Sequence, residues 1–394
     1  MQTQRNKLLC LLTWAVLFSC QSERSENVSP APEMEPVLVF LDSVVVTSLS
    51  ELYLSDKDPE TDRLLLNDWE MNELWVTDLK GNTISKYSPR GEGPHQVPSP
   101  LEMAFWKDGF LIKEISPGQH FHFFNGSVEK SAKGPALADG ISVIGMPNSG
   151  NSFSLVESKG EPLIVGYEYN SIDARLWTKE EQHAGFYEKA EMGYLYDPNS
   201  GKVVNFSLYP ETWTPRREGK WVGIAYPRVQ VSKIDPVVAV LPNFGNQLFY
   251  YTLNGDTLQP LAEIELVHPE RNDKIVFDVE KDDWSLYPSF GRLHGGGEYF
   301  LIEFNTTFPR DIYDSFRAKG ENFHMDPDYQ EARRKYVQTK YILTDTRGNQ
   351  AAISELPVSG TVHLMDADDI LYIKPTTETE LDYNVFYRYQ VSLE

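Results

Sequence analysis

Short apolar strands alternate with polar turns in a pattern that repeats along the whole chain. Six times a β-turn leads into an apolar strand, as where Lys107-Asp108-Gly109 precedes Phe110–Ile112, and each time a second strand follows. Five of the second strands end in Gly- or Asn-Gly-type turns, which allow the positive φ that tight hairpins require. These second strands are Glu73–Leu79, His120–Phe124, Gly193–Asp197, Gln247–Leu253, Lys340–Thr346 and Asn384–Val391.

A repeating pair of hairpins cannot bury both of its faces alone, so successive units must stack against one another. Radial stacking of such units gives a β-propeller. The pattern therefore predicts an all-β fold, a six-bladed β-propeller with short helical inserts on one face. A β-sandwich also contains many Gly and Asn turns, but it rarely has six units of about 45 residues.

Blade 3 is predicted to comprise Ile141–Met146, Ser152–Val156, Gly193–Asp197 and Lys202–Leu208. Blade 6 lacks a fourth strand at the C-terminus, and an open edge would invite mispairing. The β-rich segment Val37–Val46 has no partner of its own, so we expect this N-terminal strand to close the last blade.

The N-terminal region has the features of an export signal. Arg5 and Lys7 precede an apolar run, Leu8–Phe18, that is too short to span a bilayer. Leu17-Phe18-Ser19-Cys20 is similar to a bacterial lipobox, which predicts lipidation of Cys20; the alternative is an ordinary secretory signal. The predicted organisation is a signal peptide at residues 1–19, the lipidated cysteine with a flexible tether at 20–36, and the propeller at 37–394.

The charge excludes one class of partner. The formal net charge is −22, and a field of that sign repels phosphate backbones, so nucleic-acid binding is not expected.

Four long segments indicate where binding occurs. They are Ser158–Met192, Tyr209–Pro227, Val267–Pro288 and Asn305–Thr339. In a four-stranded blade, loops between the second and third strands share one face with the connections between blades, so all four segments fall on that face. Long loops on a rigid scaffold are common binding sites. Thr178 with Glu181, and Asp326 with Pro327, predict two helix starts within these segments.

The segment Trp213–Arg228, which includes most of one of these loops, is basic and aromatic within an acidic chain. Arginine forks recognise carboxylates or phosphates, and tryptophan faces stack on sugars. The alternative is that these arginines pair with the acidic run Asp278–Asp283 and only hold two loops together. The candidate ligand-binding residues are Trp213, Arg216, Arg217, Lys220, Trp221, Tyr226 and Arg228, with His294 at the predicted channel mouth.

Catalytic and metal motifs are weak. No Gly-x-Ser-x-Gly elbow, Walker loop or His-Glu-x-x-His occurs in the sequence. No cofactor is expected, although Asp278, Glu280, Asp282 and Asp283 could collect Ca²⁺. Carboxylate pairs for glycoside hydrolysis stay open, because spacing in sequence does not give separation in space.

The chain resembles the six-bladed β-propeller lipoproteins of Bacteroidota, a family with a domain-of-unknown-function label. The lipobox at Cys20, the hairpin Val76–Asn82 and the following Tyr87–Pro94 are similar to that family. The resemblance implies an outer-membrane lipoprotein, on the cell surface or the periplasmic side, and brings no catalytic residues.

Three functions remain as hypotheses. The leading one is a lipid-anchored, non-catalytic propeller that binds a ligand (a glycan or a peptide) or a protein partner on its long-loop face. The second is an extracellular lyase or hydrolase that acts on glycan or peptide with the same face. The third is a structural subunit of an envelope complex that docks through the helical inserts.

Overall fold

Six four-stranded antiparallel sheets form a ring, which confirms the predicted six-bladed β-propeller. The structure is a computed structural model that describes residues 34–58, 60–114, 120–135, 151–168, 178–272, 274–377, 379 and 381–394.

Within blades 1 to 5 the strands follow chain order from the first strand at the channel to the fourth at the rim, and in blade 6 the N-terminal strand β1 takes the fourth place. Blades 1 and 2 comprise β2 (Leu52–Lys57), β3 (Leu64–Asp68), β4 (Glu73–Thr77), β5 (Thr83–Tyr87), then β6 (Pro100–Trp106), β7 (Gly109–Glu114), β8 (His120–Phe124), β9 (Val128–Lys133). Blades 3 and 4 comprise β10 (Phe153–Ser158), β11 (Glu161–Tyr167), β12 (Gly193–Tyr196), β13 (Val203–Phe206), then β14 (Arg228–Val231), β15 (Val237–Leu241), β16 (Gln247–Asn254), β17 (Thr257–Glu265). Blades 5 and 6 comprise β18 (Phe290–Gly295), β19 (Tyr299–Asn305), β20 (Thr339–Asp345), β21 (Gln350–Ile353), then β22 (Gly360–Met365), β23 (Ile370–Pro375), β24 (Tyr383–Leu393), β1 (Pro36–Thr47).

The N-terminal strand closes the ring, as predicted. β1 pairs antiparallel with β24, from Pro36 opposite Leu393 to Thr47 opposite Tyr383. It also lies close to blade 1, where Gly81 has a φ of +83° and a Cβ at that position would lie 1.9 Å from the Val45 carbonyl oxygen. Only glycine satisfies both the positive φ and this close approach.

Blade 3 differs from the prediction. The segment predicted as its second strand is the first one, β10, and the second strand is β11, which was placed in a long loop. Lys159 and Gly160 have φ values of +56° and +78°, so they form the tight hairpin turn that joins β10 to β11. The predicted strand Ile141–Met146 lies outside the described residues.

Buried apolar side chains fill the spaces between neighbouring blades. Leu54, Leu66, Leu364 and Tyr372, for example, form one cluster between blades 6 and 1. Such sheet-on-sheet contacts are the core of the molecule, because each blade buries its faces against its two neighbours.

Four α-helices occur among the described residues: α1 (Lys179–Lys189), α2 (Thr214–Arg217), α3 (Arg310–Arg317) and α4 (Pro327–Tyr336). Two were predicted from their N-terminal signals. Thr178 and Glu181 form a reciprocal capping box at α1, and Asp326 caps α4 with Pro327 at its first position. The turns from first to second and from third to fourth strands define the short-turn face. The loops from second to third strands and the connections between blades define the long-loop face.

Candidate functional site

The long segment of blade 3 and the connection from blade 3 to blade 4 pack into an aromatic layer on the long-loop face. α1 supplies Phe186 and Tyr187, and the connection from blade 3 to blade 4 supplies Tyr209, Trp213 and Trp221. The ring centroid of Tyr187 lies 4.9 Å from the ring centroid of Tyr209 and 4.9 Å from that of Trp213. We call this layer, with the segments that carry it, the aromatic cap.

Hydrogen bonds fix Tyr187 at the centre of the aromatic cap. Its hydroxyl donates to the carbonyl oxygen of Gly223 at 2.6 Å and accepts from the backbone N–H of Val222 at 2.9 Å. Burial raises the pKa of Tyr187 well above its ordinary value. The tyrosine is therefore a structural link between α1 and the neighbouring connection.

The predicted ligand-binding residue Trp213 belongs to this core. Its side chain is fully buried, and its indole N–H donates to the Phe244 carbonyl oxygen at 3.0 Å. A fully buried ring that packs on Tyr187 and Tyr209 offers no face to a ligand. Trp213 therefore stabilises the cap.

The basic residues of the same segment are spread over the cap surface. Arg216 donates to the Tyr209 carbonyl oxygen and lies 3.9 Å from the Glu211 carboxylate. Arg217 is exposed and contacts the Thr214 hydroxyl at 3.4 Å, and Lys220 is exposed as well. These residues do not form one compact pocket.

The aromatic cap does present one ring at its surface. Trp221 is half-buried and stacks on Tyr187 and on His183, with centroid distances of 5.4 and 5.2 Å. His183 Nε2 lies 3.5 Å from a Glu280 carboxylate oxygen. Tyr226, at the end of the segment, is 36 % exposed.

In the acidic run Asp278–Asp283, which lies next to the aromatic cap, Asp282 pairs with Arg310. Both Asp282 carboxylate oxygens accept hydrogen bonds from Arg310 of α3, at 2.9 and 2.7 Å. These hydrogen bonds lower the pKa of Asp282 to about 2. Asp278 accepts from Lys281, and Asp283 caps a short 3₁₀ helix through the Ser285 N–H. Arg310 thus joins the insert of blade 5 to the connection that precedes it.

A polar groove opens on the long-loop face between blades 4, 5 and 6, with a volume of about 350 Å³. Arg228 begins β14, and Arg292 lies near the start of β18. Arg228 Nε donates to the Gly291 carbonyl oxygen at 2.8 Å, which places the two arginines on adjoining backbone. The groove is lined by Arg228, Gly291, Arg292, Glu303, Phe304, Asn305, Thr339, Tyr341, Gly360 and Thr361.

Glu303 connects this groove to the central channel. Its carboxylate accepts from His294 Nε2 at 2.9 Å, and its other oxygen lies 3.8 Å from Arg292 Nε. Arg292 and His294 are two residues apart on β18, so both side chains lie on the face of the sheet that carries Glu303. His294 lines the channel cavity, whereas Glu303 lines the groove.

The channel cavity has a volume of about 240 Å³ and is lined by the first strands of all six blades. Lys233 of blade 4 reaches across the ring to Asp56 of blade 1, with 3.6 Å between Nζ and Oδ1. The other Asp56 oxygen accepts from the Phe105 N–H at 2.9 Å. Burial raises the pKa of Asp56, and the ammonium of Lys233 opposes that shift.

Sequence reasoning identified Arg228 and His294 but missed Arg292 and Glu303. A usable signal exists, because Arg292 and Glu303 are charged residues within strands that consist mostly of apolar, aromatic and glycine residues. Such a residue on an inner strand faces either a partner or the channel. The arrangement offers two guanidinium groups and one carboxylate in a groove with hydroxyl and amide neighbours, which suits recognition of a polar ligand.

Two features are absent from the described part of the chain. No helix there is both long and apolar enough to cross a membrane. Within the same residues, no group of three or more His, Cys, Asp or Glu side chains is arranged to hold a metal ion.

The fold is similar to that of several solved structures. A crystal structure of a member of the DUF4221 family from Bacteroides vulgatus matches with a TM-score of 0.61 at 11 % identity, over 91 % of this chain and 99 % of that chain. A streptogramin B lyase structure matches with a TM-score of 0.40 at 9 % identity, over 93 % and 99 %. BamB from Moraxella catarrhalis matches with a TM-score of 0.38 at 10 % identity, over 90 % and 97 %.

At such low identities the likeness concerns the fold alone. The sequence resemblance to propellers of a domain-of-unknown-function family is thus supported at the level of architecture. No protein-family model matches the chain, and no curated protein matches it in sequence.

Proposed function

We propose that this protein is a non-catalytic binding protein that receives a ligand or a protein partner on its long-loop face. The observation that carries the proposal is the concentration of the long segments of blades 3 to 5 on that face, beside a polar groove. The short-turn face, in contrast, carries tight hairpins.

The construction of the long-loop face supports a preformed site. The aromatic cap is cross-linked by Tyr187 and Trp213, and Arg310 ties the insert of blade 5 to the connection that precedes that blade. Loops that are packed in this way lose little conformational entropy when a ligand binds, which favours affinity.

Anchoring through Cys20 and an extracytoplasmic location belong to the same proposal, on the basis of the lipobox-like sequence. A membrane fractionation of cells that express the wild type or Cys20→Ala tests it. We expect the wild type in the membrane fraction and the variant in the soluble fraction, and equal partition of the two would contradict the anchor.

The binding proposal is tested with the full-length protein on an array of neutral oligosaccharides, acidic oligosaccharides and short peptides. Thr339→Trp fills the groove, because Thr339 is exposed at its edge. Thr257→Trp is the matched control, since Thr257 is also exposed at the start of a strand but follows a turn on the short-turn face. We expect at least one class of compound to bind, and Thr339→Trp alone to weaken it at least tenfold.

Two results would overturn this proposal. One is an array on which nothing binds. The other is binding that Thr257→Trp weakens and Thr339→Trp does not, which would place the site on the short-turn face.

A further inference from the structure

We infer that the channel cavity binds a single free α-amino acid with an apolar side chain, held by Asp56 and Lys233. The inference goes beyond the proposed function, because it concerns a second site at the centre of the ring and does not depend on the long-loop face. It is carried by the geometry of one ion pair, by the charge balance of the cavity and by the size and chemistry of the lining.

Two ion pairs border the cavity, and they differ in how open they are. The side chains of Lys57 and Asp366 are only 4 % and 3 % exposed, with 3.2 Å between the ammonium and the carboxylate, so they form a closed pair. The side chains of Lys233 and Asp56 are 30 % and 14 % exposed, and their charged atoms lie 3.6 Å apart. An ammonium carries three donors on a flexible stem. Lys233 can therefore keep its contact with Asp56 and donate to a ligand at the same time.

The spacing of this open pair matches the spacing of the charges in an α-amino acid. N–Cα and Cα–C bonds of about 1.46 and about 1.52 Å, at an angle of about 111°, place the ammonium nitrogen about 2.5 Å from the carboxylate carbon. An α-amino acid can thus lie antiparallel to the pair, with its ammonium against Asp56 and its carboxylate against Lys233. Both contacts are then charge-assisted hydrogen bonds. A zwitterion whose charges stand much farther apart cannot make both contacts at once.

Polar neighbours add hydrogen-bonding groups on both sides of the channel. Gln230 of β14, on the same blade as Lys233, accepts a hydrogen bond from the Ser154 hydroxyl through Oε1 at 3.0 Å. This bond orients the amide so that its NH₂ group is the end that can donate to a carboxylate. Ser55 precedes Asp56 in β2 and lines the same cavity. Donors to a ligand carboxylate therefore come from blade 4, and acceptors for a ligand ammonium come from blade 1.

The charges of the described lining balance one another. Asp56 and Asp366 are matched by Lys57 and Lys233, whereas the chain as a whole has a formal charge of −22. A ligand with a net charge would leave that charge uncompensated in a partly dehydrated site, which is costly. A zwitterion brings one charge of each sign, so it keeps the balance.

The size and the apolar part of the lining define the rest of the ligand. The cavity has a volume of about 240 Å³, and a cavity of about 150 Å³ is known to hold benzene. Pockets for drug-sized ligands typically have about 300 to 1,000 Å³, so this cavity suits a single small molecule rather than an oligosaccharide. Phe105, Leu155 and Leu364 lie beside the polar groups. They favour an aliphatic or aromatic side chain on the amino acid.

Calorimetric titration of the full-length protein with L-leucine and L-phenylalanine tests the inference, and we expect at least one of them to bind. Matched compounds define what is recognised. The corresponding acids, 4-methylpentanoate and 3-phenylpropanoate, lack the ammonium, and the corresponding amines, 3-methylbutylamine and 2-phenylethylamine, lack the carboxylate. 6-Aminohexanoate is an isomer of leucine with its two charges at opposite ends of the chain. Each of these compounds should bind at least tenfold more weakly than the amino acid.

Variants of the open pair assign the two contacts. Asp56→Asn and Lys233→Gln should each weaken binding of the amino acid at least tenfold. Asp56→Asn should also reduce the penalty for the missing ammonium, and Lys233→Gln the penalty for the missing carboxylate, because groups in contact are energetically coupled. Asp108→Asn and Lys80→Gln remove the same charges from exposed turns of the short-turn face and should leave binding unchanged. Thr339→Trp, which fills the groove, should leave it unchanged as well.

Absence of binding by both amino acids would overturn the inference, and so would an acid, an amine or 6-aminohexanoate that binds as tightly as the amino acid. These comparisons use the wild type, so they decide the question even if a channel variant folds poorly. Binding that both Asp56→Asn and Lys233→Gln leave intact would place the ligand elsewhere and would overturn it too. None of these outcomes bears on the binding proposed for the long-loop face, which Thr339→Trp tests separately on the array.

Discussion

The two ends of the propeller channel are stabilised by different kinds of contact. At the short-turn end, charged residues in or just after the first strands pair with one another: Lys57 Nζ lies 3.2 Å from the buried Asp366, and Lys233 spans the ring to Asp56. At the long-loop end, aromatic rings from α1 and the following connection pack together, with Trp213 fully buried among them.

This difference follows from how each end is built. The short-turn end has almost no chain beyond the first strands, so neighbouring blades are joined there by hydrogen bonds and ion pairs. Asp369 of blade 6, for instance, accepts from the N–H groups of Gly297 and Glu298 of blade 5. The long segments at the other end bring enough apolar surface to form a core of their own.

The largest expected effect concerns the aromatic cap. Trp213→Ala removes a fully buried ring and leaves a cavity, so we expect the free energy of unfolding to fall by about 3 to 5 kcal/mol. Chemical denaturation measures this loss, and Trp213→Phe should lose less because a ring still fills the space. If Trp213→Ala matched the wild type in stability, the description of the cap as a core would be wrong.

The second largest expected effect concerns the buried ion pair at the short-turn end. Lys57→Met leaves the Asp366 carboxylate buried without its ammonium partner, and we expect a loss of about 3 kcal/mol. Lys80→Met is the control in the same denaturation experiment, because Lys80 is exposed on a turn of the same face. A loss for Lys57→Met no larger than that for Lys80→Met would show that the ion pair does not hold this end together.

A smaller effect depends on pH. Burial, aided by Lys374, Arg292 and His294, lowers the pKa of His363 in the channel to about 3. The folded pKa lies below the ordinary value of about 6.5, so His363 is neutral in the folded protein and its contribution to stability is present above pH 6.5. That contribution is lost as the pH falls from 6.5 towards 3, by about 1 to 2 kcal/mol at pH 5.

Denaturation at pH 7 and pH 5 measures the effect. His363→Gln should reduce the loss of stability on acidification, whereas His324→Gln, at an exposed position, should not. If His363→Gln lost as much stability between pH 7 and pH 5 as the wild type, other titrating groups would be responsible for the loss.

The parts of the fold that local chemistry determines could be predicted from the sequence. Asp78 accepts hydrogen bonds from the N–H groups of Lys80 and Asn82, all within five residues, so one short segment determines the turn. The capping box at α1 is equally local, and the closing strand followed from a count of strands. Blade 3 was misread because the Lys159-Gly160 turn lies inside a segment that was taken as one long loop.

The candidate site was predicted only in part, because composition does not specify burial. The basic, aromatic segment from Trp213 to Arg228 was expected to act as one surface, yet its first residue is core and its last lines the groove. The local sequence does not distinguish the buried Trp213 from the groove residue Arg228, because burial depends on α1 and on blade 5, which pack beside them.

The six-fold strand pattern and the helix starts can be predicted from the sequence alone, because they depend on hydrogen bonds and φ preferences within a few residues. The closing strand can be predicted because the last blade is one strand short. Two features cannot be read from the sequence and follow from the folded ring. Asp56 contacts Lys233 across the channel, and Arg228, Arg292 and Glu303 line the same groove. These residues lie far apart in the chain, so their contacts exist only after the ring has closed and the register of each blade has been fixed by its neighbours.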